Sequence, residues 1–164
     1  MKVKTENVVG AYNVLKQIKT KELPVEVALA IWKNVKSFKD TATSYEDSIE
    51  STKKSLAGDE EESMTNLLKE LQDKEIKEGA GTYTFTRTDN ENKIKVTKYF
   101  TETQSKLNKY IKELNDEEVE VTVTTIKEDD LVKAIIGTDY NIGILEVIDF
   151  IITKEDDSKA DTNK

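Results

Sequence analysis

The 164-residue chain is 36% apolar and 35% charged, carries a formal net charge of −8, and contains neither cysteine nor histidine. Those absences exclude disulfides, thiolate and imidazole metal sites, and every Ser-His or Cys-His nucleophile, so no catalytic residue, metal or cofactor is expected and the chain is read as a non-enzyme. The charged share exceeds the usual quarter, and one proline with six glycines lets helices run long, so the expected class is α+β, mainly α.

The first residues, "MKVKTENVVGAYNV", have no apolar core of the kind a signal peptide needs, and the chain is expected to be soluble. From Thr5 to about Thr20 the spacing of Val8, Tyr12, Leu15 and Ile18 predicts a short amphipathic helix with Thr5 as its cap.

Pro24 then opens the clearest element, a helix expected over 24–57. Ile31, Val35, Phe38, Ala42, Tyr45, Ile49, Thr52 and Leu56 recur at alternating spacings of four and three, a heptad-like seam that Gly58 stops. Trp32 lies beside Ile31 but off that seam, where it either closes a second apolar face or anchors a partner. Lys16, Lys19, Lys33 and Lys36 read as a solvated basic strip.

A second helix is expected over 60–78, opened by an Asp59/Glu62 capping box and folded back on the first as a helical hairpin. Together these make residues 1–78 a helical half. Residues 79–152 form a mixed half, beginning with a period of two in "GAGTYTFTRTDNENKIKV" that predicts a β-hairpin turning at "DNEN", or else a floppy excursion between helices, since two strands alone are marginally stable. The helical period returns from about Thr101 to Asn115.

"EEVEVTVTTIKEDD", residues 117–130, sets Val119, Val121 and Val123 on one face against Glu118, Glu120, Thr122 and Thr124 on the other, as a one-sided strand requires. Ile126 breaks the parity, so the strand must end or bulge near Thr124. Glu128 and Asp129 fit the first turn of a short helix ended by Gly137. A final apolar helix capped by Asp139 is expected over 140–152, with a strand as the alternative because the segment is rich in β-branched residues, and 153–164 is expected to be a disordered polar tail. No apolar run reaches the ~20 residues of a membrane span; 142–152 is too short and holds Glu146 and Asp149.

Charge is uneven. Residues 1–57 hold 10 lysines against 7 acids, a net of +3, and residues 58–164 hold 15 Lys or Arg against 26 acids, a net of −11. Direct nucleic-acid binding is therefore not expected. The candidate interaction residues are Trp32 and the acids Glu117, Glu118, Glu120, Glu128, Asp129 and Asp130.

Three segments carry a resemblance: "AYNVLKQIKTKELPVEVALAIWKNVKSF", "KLNKYIKELNDEEVEVTVTTIKEDDL" and "NIGILEVIDFII". In this order they resemble a family of small uncharacterised proteins from phages and prophages of Gram-positive bacteria. The resemblance covers about half of the chain, departs from it over 58–100, and transfers no active-site residue. It implies a bacteriophage accessory protein that meets a phage structural or host protein, in the host cytoplasm or on the virion. A homo-oligomer through the helical seam is a further expectation. The alternative is an acidic inhibitor of a host defence protein or nuclease, its carboxylates replacing nucleic-acid phosphates in the manner of an anti-CRISPR protein.

Overall fold

The computed structural model describes residues 1–153. Its order is β1 (Lys2–Lys4), α1 (Thr5–Gln17), α2 (Val25–Ala57), α3 (Glu61–Gly79), α4 (Arg87–Asp116), β2 (Glu118–Glu120), β3 (Ile126–Lys127), α5 (Glu128–Ile136) and β4 (Ile152–Thr153), with short 3-10 turns between some of them. The class is mainly-α α+β, about 75% helical. The chain divides into two compact units that the sequence does not separate in order. One combines residues 1–46 with 114 onward, and the other is 47–113. This differs from the expected division at 78/79, because the first and last thirds of the chain share one core.

That core joins Val8, Ala11, Val14 and Leu15 of α1, Val27, Ala30, Ile31 and Phe38 of α2, Val121, Ile126, and Leu131, Ala134 and Ile135 of α5 to Ile148 and Ile151. Apolar burial at ~25 cal/mol per Å² is the main term holding such a cluster. Phe38 and Phe150 meet with ring centroids 5.7 Å apart. The seam residues of α2 all face inward: Ile31, Phe38 and Ala42 are buried, and Val35, Tyr45, Ile49, Thr52 and Leu56 are half-buried. In the second unit Met64, Leu71 and Val96 form a smaller core, with Leu67, Leu68, Phe85, Tyr99 and Phe100 against it.

β1 is an element the sequence did not announce. It pairs antiparallel with β2, setting Lys2 opposite Glu120, Val3 opposite Val119 and Lys4 opposite Glu118. β3 pairs in parallel with β4, Ile126 opposite Ile152 and Lys127 opposite Thr153.

Several expectations are corrected. Residues 87–100 are helix, not the second strand of a hairpin, and Ile94 is 70% exposed. The reason is a capping box: the Asp89 N–H donates to Thr86 Oγ1 at 3.1 Å, and the Thr86 N–H donates to Asp89 Oδ2 at 3.0 Å. The expected helix over 140–152 is instead two 3-10 turns, Ile142–Glu146 and Asp149–Ile151. Asn141 rather than Asp139 opens the first turn, its Oδ1 accepting from the Gly143 N–H at 2.8 Å, and Ile152 is drawn into the parallel pair with Ile126.

Asp59 and Glu62 make no capping box. α3 begins at Glu61, after a turn in which Gly58 takes φ +55°, a value glycine adopts without steric cost. Thr5 is the first residue of α1 and not its cap; its hydroxyl donates to the Glu117 carbonyl at 3.0 Å. Thr153, expected in the polar tail, belongs to β4, and the remainder of that tail lies outside the described residues.

Candidate functional site

Regular backbone pairing in the acidic stretch is confined to Glu118–Glu120, paired with β1, and Ile126–Lys127, paired with β4. The run is anchored at both ends. Its start is held by the Thr5 N–H, which donates to the Glu117 carbonyl at 2.8 Å. The N-terminal ammonium donates to the Val121 carbonyl at 3.0 Å, and the Val121 N–H returns a bond to Met1 at 2.9 Å. Its end is held by Asn34, fully buried on α2. The amide Nδ2 donates to the Thr124 carbonyl at 2.7 Å and Oδ1 accepts from the Thr124 N–H at 2.8 Å. A side-chain amide thus supplies the two bonds a neighbouring strand would have made, where Ile126 breaks the alternation.

The acids of this strand are exposed, but lysines oppose them. Lys4 faces Glu118 and Lys2 faces Glu120 across the antiparallel pair, an arrangement of opposite charges that stabilises a sheet. Lys4 also bonds Asp116 at 2.7 Å and lies 3.9 Å from Glu6. The hydrogen bond to Asp116, then that carboxylate's charge, raises the Lys4 ammonium above its ordinary value, with Glu6 and Glu118 adding to the effect. Glu117 is exposed and takes part through its backbone carbonyl.

Glu128, Asp129 and Asp130 lie elsewhere, in the first turn of α5 beside the β3–β4 pair. They border a shallow depression of about 460 Å³ together with Lys127, Lys133 and Asp149. At the start of a helix their charge complements the unpaired backbone N–H groups. Among the described residues no group of three or more acids is placed to hold a metal ion.

Trp32 is the site residue whose placement says most. Its side chain is 58% exposed, so of the two readings open to it the closing of a second apolar face is not what the fold adopts. At 3.6 residues per turn, Val25, Leu29, Trp32 and Lys36 fall within an arc of about 60°. They lie opposite the buried Val27, Ala30, Ile31, Asn34 and Phe38. Val25 is 77% exposed and Leu29 47%. Lys36 Nζ stands 5.4 Å from the Trp32 ring centroid, an exposed cation–π contact. A large apolar side chain held in water is costly, and a contiguous apolar strip of this kind is a mark of contact surfaces.

The polar cluster around Asp89 was missed by the sequence reading. This carboxylate is almost enclosed and accepts from Lys74 Nζ at 2.7 Å, from the Tyr83 hydroxyl and from the Thr86 N–H. The Lys74 bond, followed by the Tyr83 bond, holds its carboxyl well below the usual carboxylate range, while the bond to Asp89 pushes the Tyr83 hydroxyl up. Its acceptor positions are filled by Lys74 of α3, Tyr83 of the linker and Thr86 just before α4, and with the Thr86 exchange it caps that helix. The signal that finds it is the spacing Thr86-x-x-Asp89.

Fold and surface together define a small mainly helical protein with an exposed apolar strip on α2. No helix among the described residues is long and apolar enough to cross a membrane. No protein-family model, curated protein or solved structure matches the chain.

Proposed function

We propose that this chain is a non-enzymatic bacteriophage accessory protein that works by protein–protein contact, through the outward face of α2. The observation that carries the contact is the exposed strip of Val25, Leu29 and Trp32, set opposite the helix's buried face. The phage assignment rests on the resemblance of the three quoted segments, and it places the protein in the host cytoplasm or on the virion. Opposing lysines at Lys2 and Lys4 count against the alternative, in which the strand acids imitate nucleic acid.

Photo-crosslinking tests the contact. A benzoylphenylalanine at position 32 should join the chain to protein during phage infection, while the same group at the exposed Lys109 of α4 should not. Equal capture at both positions, or none at position 32, contradicts the reading. Mass spectra of purified particles then separate a virion component from a protein acting on the host.

A further inference from the structure

We propose that a second copy of this chain covers the outward face of α2, with the two helices antiparallel and the two-fold axis between positions 29 and 30. The proposal rests on the reading of that face as a protein-contact surface and names its occupant. Ile31, Phe38 and Ala42 of the seam are at most 2% exposed, so the pair is placed on the outward face of α2 and not on the seam.

Charge along the strip identifies the occupant. Glu26 and Lys33 are both exposed and lie on the same edge of the apolar strip, seven residues apart, about 10 Å along the helix. Neither takes part in an ion pair among the described residues. In an antiparallel pair like edges meet. Centring the axis between residues 29 and 30 sets Glu26 of each copy opposite Lys33 of the other. The same register brings the two Leu29 side chains together and lays each Trp32 between Val25 and Leu29 of the second copy. A two-fold contact must be self-complementary, and this edge carries one charge of each sign at equal distances from the axis. A parallel two-fold pair would put the two copies of this edge on opposite sides of the contact, where Glu26 and Lys33 do not meet.

The strip is small beside the ~800 Å² per partner of a standard interface, so the pair forms at micromolar concentrations and is not obligate.

Sedimentation equilibrium of the full chain and of two charge variants tests the proposal, at about 0.15 M salt, where repulsion between the two copies is screened beyond ~8 Å. The parent should show a monomer–dimer equilibrium. Glu26→Lys and Lys33→Glu should each weaken it about tenfold, since each reversal acts twice in a two-fold pair. Mixing the two variants in equal amounts should restore association to near the parent level, because both edges then carry opposite charges. Both positions are exposed, and circular dichroism matching the parent confirms the fold of each variant. A parent that stays monomeric at high concentration, or a mixture no tighter than either variant alone, overturns the second copy as occupant. The contact reading itself fails separately, by the absence of any protein crosslink at position 32.

Discussion

Asn34 and Thr124 exchange two hydrogen bonds, side-chain amide to backbone amide, at 2.7 and 2.8 Å, across 90 residues of sequence. This relationship locks the stretch after β2 against α2 and completes the unit that carries Trp32. Replacing Asn34 by alanine leaves the Thr124 carbonyl and N–H without these partners. At about 1–3 kcal/mol for each unsatisfied buried group, the loss from the two groups should be about 2–6 kcal/mol. A fall of that size in the unfolding free energy from urea titration checks it, and a change under about 0.5 kcal/mol would show that water replaces the amide without cost.

Asp89 gives unit 47–113 a pH dependence of known sign. Its folded pKa is depressed below the ordinary 3.8 by Lys74 and Tyr83. The unfolded chain therefore takes up the proton first. The contribution is whole above that ordinary value and is lost as pH falls below it towards the folded pKa. Denaturation measured between about pH 5 and about pH 2 should show stability falling. Asp89→Asn should start lower and lose part of that slope. The exposed Glu91→Gln, which breaks only the surface pair with Arg87, should keep it.

Gly10 sits where α1 meets the 3-10 region near the C-terminal end of the described chain. A Cβ there would stand 2.8 Å from Val147 Cγ1. Helix propensity would reward alanine by about 1 kcal/mol, but forcing a β-branched side chain aside costs about 1–3 kcal/mol. Gly10→Ala should therefore destabilise, and the loss should shrink in the background of Val147→Ala, a coupling that a double-mutant cycle reads directly.

The elements legible in the sequence were those with strong period and clear ends. Pro24 and Gly58 bracket a helix expected over 24–57 and found at Val25–Ala57, and the acids before Leu131 with Gly137 after it bracket α5. Residues 82–96 misled because alternating Thr and aromatic residues look like strand. There Tyr83 and Phe85 stack edge-on at 5.7 Å in a linker, and the Thr86/Asp89 cap decides the rest. β1 was illegible for a different reason: three residues pair with a segment more than a hundred positions away, and no local pattern records that. The acidic run was visible as a solvated strand, but the lysines that oppose it were not. Trp32 stood out by residue type and by falling off the seam; its exposure came only from knowing which faces the core uses.

Trp32 is the sole tryptophan, so in the isolated chain tryptophan fluorescence reports on the proposed contact surface, and in a complex the partner's own emission is subtracted. The most direct measurement is acrylamide quenching of the full-length chain, dilute and then in the complex recovered from infected cells. The dilute chain should be quenched freely, as a side chain 58% exposed requires. In the complex, quenching should fall and the emission should shift to the blue as protein covers the ring. Equal quenching and an unshifted emission in the two states would contradict the account.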